Sequence, residues 1–166
     1  YEHCSYVDET GFNELLRTCG FDPVRSRLDY QGQYLVVHAR LAEPSPMPAR
    51  AELPDFAPLA GHIDHWRAWA TTFTESGGRA AVWAASSKAV AFLSAVPEFE
   101  PLVAVDINPA KAGRHLPGSG LGVVAPADLA PYDVDTIVVM NPIYLEEIGA
   151  DLAQLGIDAR LIGLGA

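Results

Sequence analysis

Basic residues are scarce in this chain. Eleven Lys and Arg stand against 21 Asp and Glu, giving a formal net charge of −10 over 166 residues. Phosphate backbones and anionic lipid headgroups are held by basic faces, so nucleic acid and membrane surfaces are disfavoured as partners. Long apolar runs are missing too. No 18-residue apolar stretch offers a membrane span, and the chain does not open with the basic and apolar segments of a signal peptide. Cysteine is limited to Cys4 and Cys19, which form no metal-ligand cluster. They read as reduced thiols of a cytoplasmic protein, although their spacing leaves a Cys4–Cys19 pair open. An initiator methionine is absent as well. The chain opens at Tyr1, inside what reads as a motif, and is taken as a fragment of a longer protein.

A chain of this length buries one good core, or one core and an appendage. Residues 10–20 read as a short helix, capped by Thr10 and stopped at Gly20. Residues 24–28 and 34–39 read as strands joined by a turn containing Gly32. A helix and a hairpin cannot make a core alone, so residues 1–40 need more protein. Pro44, Pro46, Pro48 and Pro54 mark 41–57 as an extended linker. From residue 58 to the end the pattern changes. Leu59, Ile63, Trp66, Ala70 and Phe73 recur at spacings of four, three, four and three, one face of an amphipathic helix that ends near Gly77-Gly78.

Continuous apolar runs at 79–84, 101–105, 122–124, 135–140 and 158–163 predict strands covered on both faces. Helices are predicted at 87–96 and 142–155, with a helical turn near Pro126. The expected fold class is α/β: a mostly parallel, Rossmann-like five-stranded sheet in the order 3-2-1-4-5, flanked by helices and preceded by the helix and hairpin. Ligands of such sheets bind at the carboxyl ends of the strands, where this chain places both of its lysines, Lys88 and Lys111.

The first strand–helix loop, Ala84-Ala85-Ser86-Ser87-Lys88-Ala89, has no glycine. Glycines there allow close approach of a pyrophosphate, so dinucleotide binding is disfavoured. The helix start still offers N–H groups to an anion, with Ser86 and Ser87 as caps. Asp106 sits where an acid would meet a ribose, but it also suits a cap for the turn Asp-Ile-Asn-Pro; without the glycines the cap is preferred. Lys88, Lys111, Arg114 and His115 are expected on one sheet edge, as a diphosphate or carboxylate contact or as ordinary surface ion pairs. His62 and His65 lie three apart with no third ligand nearby, so no metal is expected there. Glu2-His3 is an acid–base pair by type: an imidazole removes a proton and a carboxylate orients it.

These residues resemble a known family. Glu2-His3-Cys4-Ser5-Tyr6, the run Leu15-Leu16-Arg17-Thr18-Cys19-Gly20-Phe21 and Gly32-Gln33-Tyr34-Leu35 look like the end of an S-adenosylmethionine-dependent methyltransferase domain. Val82-Trp-Ala-Ala-Ser-Ser-Lys-Ala resembles the C-terminal domain fused behind it, as does the string Asp106-x-x-Pro-x-Lys-x-Gly-x-x-x-Pro-Gly118. The pairing is similar to C-methyltransferases acting on nucleotide-linked 4-keto deoxysugars in antibiotic biosynthesis. The resemblance implies an upstream zinc-binding domain and an upstream methyltransferase domain that holds S-adenosylmethionine, with no zinc in residues 1–166. It also implies a Tyr-x-Glu-His string in the active site, with the histidine as base; Glu2 and His3 match it and Tyr1 falls on the x position. The family's first C-terminal loop usually has glycines where this chain has Ala84, Ser86 and Ala89.

The implied chemistry suits the residues. The C–H beside a ketone is acidic enough for His3 to deprotonate, and the enolate attacks a sulfonium methyl group. Lys88, Lys111 and Arg114, with Ser86 and Ser87, would hold the sugar's diphosphate. The fragment alone is expected to be inactive. Two other readings stand beside this one: a free-standing nucleotide- or dinucleotide-binding module, and a purely structural domain.

Overall fold

A computed structural model describes residues 7–46 and 57–165. The chain divides into two units, Tyr1–Asp55 and Phe56–Ala166.

The first unit is a helix followed by a hairpin. Helix α1 spans Glu9–Thr18, and its cap is Asp8, whose carboxylate accepts from the Gly11 N–H at 2.7 Å. The cap expected at Thr10 is corrected: the helix starts earlier, and Asp8 supplies the acceptor that its free N–H groups need. Gly20 follows α1 with φ +83°, as expected of a left-handed stop. Strands β1 (Phe21–Asp29) and β2 (Tyr34–Leu41) pair antiparallel, from Phe21 opposite Leu41 to Asp29 opposite Tyr34. The register shifts between Pro23 and Arg25, where proline brings no N–H to the ladder. No side chain of α1, β1 or β2 is buried. Val24, Leu28 and Leu41 are 65%, 67% and 82% exposed, so helix and hairpin bury no core of their own.

The second unit is a parallel sheet between helical layers. Its five strands are β3 (Ala80–Trp83), β4 (Val103–Val105), β5 (Val123–Val124), β6 (Thr136–Val139) and β7 (Arg160–Gly163). Their spatial order is β5-β4-β3-β6-β7, all parallel, which is the predicted 3-2-1-4-5. Every residue of β3, β4 and β6 is buried, which is why these strands read as unbroken apolar runs.

The helices are α2 (Ala57–Glu75), α3 (Ser87–Ala95) and α4 (Leu145–Gln154), the last led in by a 3₁₀ turn at Pro142–Tyr144. A second such turn spans Pro126–Asp128, near the predicted place. Trp66 and Ala70 of α2 and Phe92 of α3 pack with Val82, Ala104 and Val138 on one face of the sheet. Trp66 meets Phe92 edge-on at 5.2 Å, and Trp69 stacks on Phe73 at 5.0 Å. Ile148 and Leu152 of α4 pack with Leu129, Val105 and Ile137 on the other face. Helix α2 stops where Gly77 takes φ +76° and the Phe73 ring lies over Gly78, leaving no room for a Cβ. Among the described residues no helix is long and apolar enough to cross a membrane.

Candidate functional site

The chemistry of a parallel sheet gathers where its strands end, and here three ends meet. Strand β3 ends at Trp83, and the next residue, Ala84, is turned to φ +85°. That region favours glycine, so the chain makes a glycine-type turn with an alanine. The Ala84 N–H donates to the Val105 carbonyl at 2.9 Å, which ties the loop to β4.

Asp106 follows β4 and is only 7% exposed. One carboxylate oxygen, Oδ2, accepts from the Ala85 N–H at 2.9 Å and from Lys111 Nζ at 2.9 Å. The other, Oδ1, accepts from the Asn108 N–H at 2.9 Å. Lys111 Nζ also donates to the Ala85 carbonyl at 2.9 Å. Asp106 therefore caps its own turn, as preferred from sequence, and clamps the β3 loop as well. Two internal donors on Oδ2 and one on Oδ1 leave it poorly suited to receive a ribose diol. It also covers a backbone N–H that a phosphate would need at a dinucleotide loop.

Helix α3 begins in this loop. Ser86 caps it, its hydroxyl accepting from the Ala89 N–H at 3.4 Å, whereas Ser87 is the first residue of the helix rather than a second cap. The expected basic residues differ in their surroundings. Lys88 lines an apolar groove of about 410 Å³ with Leu59, His62, Ile63 and Phe92, which Lys111 and Arg114 do not line. Lys111 is held by Asp106. Arg114 lies exposed in the excursion leading to β5, where its carbonyl accepts from the Val123 N–H at 2.8 Å. His115 is exposed and bridges to Gly122. His62 and His65 both lie edge-on to Trp66, and His62 Nε2 accepts from Trp66 Nε1 at 3.1 Å. Among the described residues no group of three potential ligands could hold a metal ion. Glu2 and His3, like Cys4, lie outside the described residues.

The sheet's own cleft lies at the carboxyl ends of β3, β4 and β6, with a volume of about 240 Å³. Trp83 and Ala84 line it from β3, Asp106 and Ile107 from β4, and Val139 and Asn141 from β6. Tyr144, Glu147, Ile148 and Asp151 line it from the 3₁₀ turn and α4. None of Lys88, Lys111 and Arg114 does. Sequence reading placed 142–155 on a helix but missed the carboxylates at Glu147 and Asp151. The signal was present, since two acids four apart share one helix face.

No curated protein matches this chain. A family model described as the C-methyltransferase C-terminal domain matches residues 56–160, which span α2 and the sheet through the first residue of β7. Four of the five parallel strands, β3 to β6, the helices on both faces of the sheet, and the Asp106–Lys111 clamp in the string that carries the resemblance lie within that match; the chain belongs to the C-methyltransferase C-terminal domain family.

Proposed function

We propose that the protein carrying this chain is an S-adenosylmethionine-dependent C-methyltransferase acting on a nucleotide-linked 4-keto deoxysugar. The family membership of residues 56–160 carries this reading, because it supports a methyltransferase role for the parent protein. Residues 1–40 are read as the tail of the methyltransferase domain. The exposed Val24, Leu28 and Leu41 support that, since a hairpin with this much apolar surface needs further protein to cover it.

Bound donor supplies an electrophilic methyl group, and we place its binding, like that of zinc, in the upstream domains that the resemblance implies. His3 removes the proton from the carbon beside the ketone, leaving an enolate whose carbon is the nucleophile. Glu2 orients the His3 imidazole and stabilises its protonated form. The second unit helps to form the substrate site. Lys88 and Arg114 are the exposed cations in this reading, and Lys111 keeps a third N–H beyond the two donated to Asp106 and Ala85.

Incubating the parent protein with methyl-labelled donor and a nucleotide-linked 4-keto deoxysugar tests the reading. Label is expected on the carbon next to the ketone. Label on oxygen or nitrogen, or no transfer to any such sugar, would refute it.

A further inference from the structure

The cleft at the ends of β3, β4 and β6 has a chemistry that methyl transfer does not use. We propose that it binds a nucleoside that carries no phosphate. Its position is the first argument. The chain leaves β3 toward β4 on one side and β6 toward β7 on the other, so the cleft lies where the strand order reverses. Open α/β sheets bind their ligands at that point. Its size is the second: about 240 Å³ suits a base with its sugar and is too small for a dinucleotide.

The walls decide the class of ligand. Trp83, Val139 and Ile148 give an apolar floor, and Ile107 stands at the rim with 70% of its surface exposed. The floor is already buried, so the apolar surface that a flat base would remove from water is that of Ile107 and Tyr144 at the rim. Glu147 and Asp151 lie four apart on α4 and line the same cleft. Like charges at that spacing repel, and paired hydroxyl donors of a ribose satisfy both carboxylates.

Phosphate is excluded for two separate reasons. No Lys or Arg side chain lines the cleft, and of its three carboxylates Asp106 is paired by Lys111, which leaves Glu147 and Asp151 as the charges that repel a phosphate. The Ala85 N–H, where a phosphate oxygen would dock at the strand–helix turn, is already taken by Asp106 Oδ2. The inference rests on the second unit alone, so its failure leaves the methyl-transfer reading untouched, and the reverse also holds.

The test titrates the 166-residue chain with adenosine, cytidine and uridine, and with the 5′-monophosphate of each, at one ionic strength by calorimetry. At least one nucleoside is expected to bind saturably, and at least tenfold tighter than its own monophosphate. In the double variant Glu147→Gln/Asp151→Asn that nucleoside weakens at least fivefold, and the gap to its monophosphate narrows. Both positions lie at least partly in solvent, and an unchanged circular dichroism spectrum checks that the variant is folded. Absence of saturable binding by all three nucleosides overturns the proposal. A monophosphate that binds as tightly as its nucleoside does so too, as does a folded double variant with unchanged nucleoside affinity.

Discussion

Removing the Lys111 ammonium tests whether the Asp106 clamp holds the front of the sheet together. In Lys111→Met the aliphatic stem remains, while Asp106 keeps the Ala85 and Asn108 N–H groups and loses its cation at 2.9 Å. Breaking a fully buried ion pair costs about 3–5 kcal/mol, whereas an exposed pair contributes about 0–1 kcal/mol. The Asp106 side chain is 8% exposed and that of Lys111 is 41% exposed, so water reaches the lysine but scarcely the carboxylate. The expected cost lies between those limits, about 2 kcal/mol. Asp106→Ala removes the acceptor from two backbone N–H groups. Asn108 lies in solvent and rehydrates, whereas Ala85 is buried, so the cost is about 3 kcal/mol. In the double variant the ion pair is lost once rather than twice, and what Lys111→Met removes beyond it is the bond to the Ala85 carbonyl. The combined cost therefore falls about 1.5 kcal/mol short of the sum. Urea unfolding followed by tryptophan fluorescence reads this directly, because Trp66, Trp69 and Trp83 all lie in the second unit. Costs that add to within about 0.5 kcal/mol, or a Lys111→Met variant as stable as the parent chain, would refute the clamp.

Two further substitutions probe the backbone. Ala84 has φ +85° and a half-buried methyl group, so Ala84→Gly relieves strain of about 1–2 kcal/mol while losing packing and gaining chain entropy in the unfolded state; stability should stay within about 0.5 kcal/mol or rise. Ala89→Gly, at a buried position in α3 with ordinary helical backbone, should cost about 1 kcal/mol or more, and equal losses at the two sites would show that Ala84 is unstrained. Gly78→Ala forces its Cβ into the Phe73 ring, which stacks on Trp69, and should cost about 1–3 kcal/mol. Adding Phe73→Leu should recover part of that loss in urea unfolding, and a Gly78→Ala chain of unchanged midpoint would remove the packing argument.

Much of the second unit was legible in sequence because burial on both faces leaves unbroken apolar runs. Val82, Val105 and Val138 mark three such strands, and right-handed crossovers leave few ways to order them. Helix α2 declared itself through Trp66, Ala70 and Phe73 at helical spacing. The cap of α1 was misplaced because Asp8 and Thr10 are both good caps, and only the backbone tells which one precedes the first turn. The pairing of Lys111 was hidden for a different reason. Asp106 is buried among the strand ends and draws Lys111 onto itself, a contact that also joins Ala85, 26 positions earlier. Sequence proximity to the sheet edge says nothing about which cation a buried carboxylate will hold. The spacing of Glu147 and Asp151 was legible as one helix face, but that this face lines a cleft with the ends of β3, β4 and β6 shows only in the fold.

In the proposed reaction the parent protein makes a carbon nucleophile when His3 takes a proton from the substrate carbon beside the ketone. Hydrogen exchange at the carbon beside the ketone measures that step without methyl transfer. The parent protein is incubated with a nucleotide-linked 4-keto deoxysugar in deuterium oxide, and loss of the proton signal is followed by NMR. Exchange should be catalysed by the parent and fall about a hundred- to ten-thousand-fold in His3→Ala, with a smaller loss in Glu2→Gln. Exchange at an unchanged rate in a folded His3→Ala protein would contradict the account.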